Sequence, residues 1–303
     1  MTDLLDGKVA IVTGAGHGIG RGHALELARH GARVVVNDLG ANVDGSGAGS
    51  DADDTVALIK SMGGDAVADY GDVGDEQAMA TLVDRAGEAF GPLDILVTNA
   101  GIVRDKALWN MTPEDFDAVM RVHVRGTWLP CHFASIHWRQ RAKAGETLRG
   151  RIITTTSGAG LWGNFGQTNY ATAKAAIVGM TLTMSVELHS IGVTANAVGP
   201  GGATRLAATI PDDHNVIEAN DLAPDEYHPM DPGGSSPLVA WLASDEAQHV
   251  TGQVLRAIND KIHLMGGWRE SATISGNETK WDATKLGTLL ATDIFHTRAP
   301  GLR

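Results

Sequence analysis

Cysteine is nearly missing from this chain. Cys131 stands alone in 303 residues, which excludes an intramolecular disulfide framework and fits a reducing compartment. No run of 18 consecutive apolar residues occurs, so no bilayer-spanning helix is expected. Positive charge is scarce: 24 Lys and Arg face 36 Asp and Glu, a formal net charge of −12. Such a chain is a poor general ligand for nucleic acid or an anionic membrane. Residues 1–8 carry acids where a secretory signal would hold its basic region, and a soluble cytoplasmic protein is expected. The 12 His show no zincin or zinc-ribbon spacing, and His132 and His137, five apart, fall off a common helical face, so no metal is expected.

Glycine is what the chain has in excess. Its 38 residues are about 13% of the total against an average near 7%. No collagen period accompanies them, so they belong to turns or to close backbone approach. With 43% hydrophobic and 20% charged residues, a large core is expected and disorder is excluded for most of the chain.

Short β-rich runs alternate with helical periods. Strands are expected at 8–13, 33–37, 65–70, 94–98, 151–156, 193–198 and 253–258. Helices are expected at 18–30, 51–62, 75–90, 113–143, 168–189 and 235–243. Thr112-Pro113-Glu114-Asp115 offers a hydroxyl cap, a proline in the first turn and acids at the positive end of the helix dipole. Pro130 predicts a kink in the long helix just after His123. Cys131 beside it reads as a small buried residue. This order implies a doubly wound, Rossmann-type sheet of seven parallel strands with helices on both faces, binding ligands at the strands' carboxyl ends. One catalytic domain is expected over 1–267, including an acidic excursion at 201–234. Residues 268–303 read as an extension packed on the body or on a neighbouring subunit.

Gly14, Gly16, His17, Gly18, Ile19 and Gly20 fall between the first strand and its helix. Glycines there let the backbone approach a pyrophosphate that the helix N-terminus stabilises. Asp38 ends the second strand, placed to accept from the adenosine ribose hydroxyls and to repel a 2′-phosphate. The residues that would hold such a phosphate, Arg or Lys at 17 or 39, are replaced by His17 and Leu39. The expected cofactor is therefore NAD.

Tyr170 and Lys174 are one helical turn apart and share a face. A nearby ammonium favours a phenolate, which suits Tyr170 to general acid–base work. With only three Tyr in the chain, a Tyr-x-x-x-Lys match is not expected by chance, and this one gains weight. Ser157 ends a strand and is placed to bond a substrate oxygen as charge develops. Trp162 and Phe165 lie between Ser157 and Tyr170 and read either as walls of an apolar substrate pocket or as core aromatics.

The run Thr13–Gly20, Asn99-Ala100-Gly101, Ser157, Tyr170 and Lys174 together resemble the short-chain dehydrogenase/reductase family over about residues 6–267. The resemblance implies that Tyr170 is the acid/base, that Lys174 binds the nicotinamide ribose and tunes the tyrosine, and that Ser157 stabilises the alkoxide. It also implies that Asp72 and Val73 flank the adenine, that Asn99, Ala100 and Gly101 line the cofactor floor, and that Pro200 and Thr204 lie near the nicotinamide. A homotetramer and a substrate-covering excursion at 201–234 are implied by the resemblance alone.

His123 stands where the family usually has an Asn that holds a relay water. It could hold that water through a ring nitrogen or contribute a titration near neutrality. Residues 36–40, 122–126 and 163–170 are similar to the (3R)-hydroxyacyl-CoA dehydrogenase part of peroxisomal multifunctional enzymes and its bacterial relatives, which implies a 3-hydroxyacyl-CoA with a fatty or steroid side chain. Charge pulls both ways: residues 104–151 hold nine Lys and Arg against five acids, while 201–234 hold seven acids against one Arg. A hydroxysteroid or other small-alcohol dehydrogenase, or a 3-oxoacyl carrier reductase, stays open. So does a silent NAD-binding scaffold, although such a protein would be expected to lack one of Ser157, Tyr170 and Lys174.

Overall fold

The computed structural model describes residues 4–202, 216–222, 226–270 and 272–275, together with Trp281, Leu286 and Leu290. It divides into two compact units, Met1–Met265 and Gly266–Arg303. Everything below concerns the first.

Its strands are β1 (Val9–Thr13), β2 (Arg33–Asn37), β3 (Ala66–Asp69), β4 (Ile95–Thr98), β5 (Arg151–Thr155), β6 (Thr194–Pro200), β7 (Val254–Ile258) and β8 (Lys261–Leu264). The helices are α1 (Gly18–Arg29), α2 (Asp51–Ser61), α3 (Glu76–Phe90), α4 (Pro113–Met120), α5 (Gly126–Lys143), α6 (Gly158–Trp162), α7 (Thr168–Leu188) and α8 (Ser236–Ala243). The sheet runs β3-β2-β1-β4-β5-β6-β7-β8. The seven expected strands are all parallel. An eighth, β8, departs from the expectation by pairing antiparallel with β7, with Ile258 opposite Lys261. Its two-residue turn, Asn259-Asp260, works because Asn259 adopts φ 53°, a left-handed conformation that asparagine tolerates. All four β8 side chains are exposed, so no apolar alternation marked it in the sequence.

Strand alternation builds two cores. Ala10 and Val12 of β1 face α1, α2 and α8 in one apolar cluster. Val9 and Ile11 face α3 and α5 in the other. Two buried polar groups tie the far end of the sheet. Trp138 Nε1 donates to the Leu93 carbonyl at 2.8 Å, and the fully buried Arg151 donates twice to the Ser244 carbonyl. Both satisfy carbonyls that burial would otherwise leave costly.

The expected long helix from 113 is present but not uniform. Thr112 and Asp115 close a capping box at its start. Residues Arg121–Arg125, between α4 and α5, form a π turn in which the Gly126 N–H reaches back to the Arg121 carbonyl. Pro130, inside α5, has no N–H for the Gly126 carbonyl. The irregularity thus lies on His123 itself rather than just after it.

Strand order reverses between β1 and β4, with β2 on the other side of β1. The crevice at that switch point is where an open α/β sheet binds its ligand.

Candidate active site

The glycine loop, Asp38, Asn99–Gly101 and Ser157 sit at the carboxyl ends of strands or in the turns that follow them, while His123 lies in the π turn and Tyr170 and Lys174 on α7. After β1, the backbone must pass beneath β4's last residues, and glycine is what permits it. Gly14 has φ 63° and Gly18 φ 52°. A side chain at Gly14 would strike the backbone of Ala100, and one at Gly20 would strike the Gly14 carbonyl and Asn99. Asn99 Nδ2 donates to that same carbonyl at 3.0 Å, pinning the loop from the other side. The result is a glycine-lined cradle opening α1, with the Gly16 and Gly18 N–H groups bound by the Asp38 and Glu218 carboxylates and a side-chain-free backbone that a phosphate can approach closely. It fits a dinucleotide.

Asp38 closes one side of this cradle. One carboxylate oxygen accepts the Gly16 N–H at 2.7 Å and the other the Gly40 N–H at 2.7 Å. His17 is held between two acids, Nε2 2.9 Å from Asp51 and Nδ1 3.0 Å from Glu218. The sequence had not singled out either acid, since Glu218 lies within the aperiodic excursion. Ile19 is half-buried in the first turn of α1.

The remaining cofactor candidates fall into three groups. Asp72 forms a two-pronged ion pair with Arg121, with distances of 2.7 and 3.2 Å. Val73 is buried against Gly126. Pro200 ends β6, whereas Thr204 lies outside the described residues.

The catalytic candidates do converge. Ser157 follows β5 and caps α6, accepting the Ala159 N–H at 3.3 Å. Its hydroxyl lies near enough to Tyr170 to favour the ionised phenol. Lys174 is buried, its Nζ 5.6 Å from the centroid of the Tyr170 ring and donating to the Thr155 carbonyl at 2.8 Å. His123 meets the same ring edge-on, with centroids 5.2 Å apart.

The electrostatics correct the sequence reading twice. Burial pushes the Tyr170 phenol above its ordinary range; the Ser157 hydroxyl opposes this, and the Asp105 carboxylate adds to it. Lys174, whose ammonium was expected to lower Tyr170, is itself driven down to about 7 by burial. His123 is held down to about 3, by burial first and then by the Lys174 charge. It therefore stays neutral at physiological pH and supplies no titration near neutrality. Its Nε2 meets both the Ile102 carbonyl at 2.8 Å and the Ile102 N–H at 3.2 Å. Nδ1 is a buried ring nitrogen without a partner among the described residues. A buried polar atom of this kind suits an ordered water.

Three bonds lash the loop after β4 to the segment before Tyr170. Lys106 N–H donates to the Gly166 carbonyl at 2.8 Å, Gln167 Nε2 to Asp105 at 2.6 Å, and Asn169 Nδ2 to the Arg104 carbonyl at 3.0 Å. Sequence reasoning missed these residues because ordinary loop polarity gave no signal. Neither aromatic candidate is a core residue. Phe165 is 81% exposed and pairs edge-on with Trp109 at 6.2 Å. Trp162 lies under the Arg256 guanidinium at 4.9 Å.

A family model described as short chain dehydrogenase matches residues 8–215. Hydroxyacyl-CoA dehydrogenase ChsB1 of Mycobacterium tuberculosis is 40% identical over 301 residues, 99% of this chain and 92% of that protein. Peroxisomal multifunctional enzyme type 2 of Mus musculus is 39% identical over 249 residues, 82% of this chain but 31% of the longer mouse protein. The crystal structure of a short chain dehydrogenase from Mycobacterium avium superposes with a TM-score of 0.86 at 44% identity, covering 98% of each chain.

Proposed function

The chain belongs to the short-chain dehydrogenase family and is an oxidoreductase acting on CH–OH groups, and from that premise we propose that it interconverts a 3-hydroxyacyl-CoA and its 3-oxo counterpart with NAD(H). The observation that carries the chemistry is the convergence of Ser157, Tyr170 and the buried Lys174, whose Nζ lies 5.6 Å from the centre of the Tyr170 ring. The substrate class rests on likeness to a hydroxyacyl-CoA dehydrogenase over nearly the whole of both chains.

NAD, when bound, supplies the acceptor or donor of the hydride. Gly14, Gly16, Gly18, Ile19 and Gly20 would hold its phosphates, Asp38 its adenosine ribose, and Asn99, Ala100 and Gly101 the floor beneath it. The remaining work belongs to the side chains. Ser157 donates to the substrate oxygen and orients it. Tyr170 Oη takes the hydroxyl proton in oxidation and returns it in reduction. Lys174, buried beside the ring, opposes the desolvation of the phenolate while it carries its proton. His123 Nδ1 holds a water behind Tyr170 and orders the proton path. Trp162, Phe165 and the loop before Tyr170 form the apolar approach for the acyl chain. On the same reading we propose a cytoplasmic homotetramer. Among the described residues, no helix is long and apolar enough to cross a membrane.

The test is a rate comparison with NAD⁺ across 3-hydroxyacyl-CoAs of increasing length, hydroxysteroids and simple secondary alcohols. The 3-hydroxyacyl-CoAs should give the highest kcat/KM. A preference for a free steroid or a small alcohol would overturn the substrate class.

A further inference from the structure

The neighbourhood of His17 contains more negative charge than ribose recognition requires. Asp38 holds the Gly16 N–H, and a side chain at Gly16 would meet both the Asp38 carboxylate and the Asp51 side chain at 2.8 Å. Asp51 opens α2 and binds His17 Nε2 at 2.9 Å. Glu218 comes from a segment more than 200 residues away in sequence and binds His17 Nδ1 at 3.0 Å. Its second oxygen accepts the Gly18 N–H at 2.7 Å. Burial works against a charge on Glu218, yet the bonds from His17 and Gly18 hold its carboxyl below the usual range.

The one nearby guanidinium among the described residues is already committed. Arg21 is buried beneath the loop. Its Nε donates to Thr55 at 3.1 Å, one terminal nitrogen donates to Asn220 at 3.1 Å and lies 3.7 Å from the Glu218 carboxylate, and the other donates to the Gly16 carbonyl. None of these nitrogens is turned outward to meet a phosphate. The edge of the cradle beside Asp38 thus presents three carboxylates and no available cation among the described residues.

We infer that Asp51 and Glu218, acting through their grip on His17, are specificity-determining residues that exclude a 2′-phosphorylated adenosine from this site. The inference rests on the NAD(H) reading above. It goes further in a definite way: Asp38 is only one of three charges a 2′-phosphate would face, and position 17 is closed to the usual remedy. An arginine placed there would lie between Asp51 and Glu218, which would take up its charge before a phosphate could.

Nucleotide binding by calorimetry tests this without turnover, using 5′-ADP and 2′,5′-ADP on the whole chain. Wild type should bind 5′-ADP and discriminate against 2′,5′-ADP. Asp51→Asn and Glu218→Gln should each improve 2′,5′-ADP relative to 5′-ADP by about fivefold to tenfold, as expected for removing one partly screened like charge nearby. His17→Arg should change that ratio little in the wild-type background and markedly in the double variant. Thermal unfolding of each variant, with 5′-ADP affinity as an internal control, separates misfolding from altered selectivity. A ratio unchanged within about twofold in folded variants would overturn the inference while leaving the NAD reading intact. Equal binding of both nucleotides by wild type would instead overturn the NAD reading itself.

Discussion

The His123 ring fills the space that a side chain at position 101 would take. A Cβ on Gly101 would press against Cε1 of that imidazole. An imidazole can replace a smaller amide here only because residue 101 has no side chain. Gly101→Ala should therefore destabilise the fold by about 1–3 kcal/mol through overpacking, and a smaller ring-site residue, as in Gly101→Ala with His123→Asn, should recover part of it. Urea unfolding of the two single variants and the double variant measures the coupling. Additive effects would show that ring and glycine do not share this space.

His123 also sets an acid limb. Its proton is bound in the unfolded chain below an ordinary value near 6.5 but in the folded chain only below about 3. Stability conferred by keeping it neutral is thus present above pH 6.5 and is lost as pH falls toward 3, at up to about 1.4 kcal/mol per pH unit. His123→Asn should flatten that limb, though not abolish it, since buried His23 is also lowered, to about 4. The same substitution should leave the neutral part of the activity profile in place. Loss of a near-neutral limb from the kcat profile on this substitution would contradict the burial argument.

Lys174 works in the opposite pH range. The unfolded chain keeps this proton up to about pH 10.5, the folded chain only to about 7. Between those values the unfolded state binds more protons, so this group makes stability rise with pH; below 7 its penalty is constant. Lys174→Met removes the dependence. Its stability relative to wild type should fall by about 2 kcal/mol between pH 7 and 9. Parallel denaturant curves at the two pH values would reveal this, and parallel pH dependence in the two proteins would refute it.

Tyr170→Phe should lower kcat by a factor on the order of 10²–10⁴, the usual worth of positioned acid–base catalysis. Because Tyr170 is not needed to shape the glycine cradle, NAD affinity measured by fluorescence quenching should persist. Ser157→Ala should cost on the order of 10²–10³. Turnover undiminished in either variant would remove that residue from the catalytic set.

Phe165→Ala should not change thermal stability measurably, because the ring is mostly exposed. It should raise KM for long acyl chains and leave short ones unaffected. A uniform KM across chain lengths would separate Phe165 from the substrate.

The parallel sheet was legible because its strands are buried on both sides and read as unbroken apolar runs, such as residues 9–12 and 95–97. Tyr170 and Lys174 were legible because one helical turn sets them on one face, while Ser157, a strand-end serine thirteen residues earlier, joined them only through the family resemblance. What escaped notice depended on contacts across the fold. Lys174 looks like an ordinary ammonium until β5 and α7 bury it. Glu218 looks like one acid among seven until it reaches the start of α1. The edge strand β8 escaped for the opposite reason: all its side chains face water, and only its turn marks it.

The π turn at Arg121–Arg125 is an extra residue accommodated within a helix. The wider turn absorbs that residue with little change of phase, whereas an extra residue in ordinary α-helical bonding would rotate everything before it by about 100° relative to α5. Asp115, whose carbonyl accepts from Asn169 at 3.3 Å and whose carboxylate pairs with Lys106 at 2.6 Å, would then swing off the loop that borders Tyr170. The π turn therefore keeps α4 and the pocket wall it carries in step with α5.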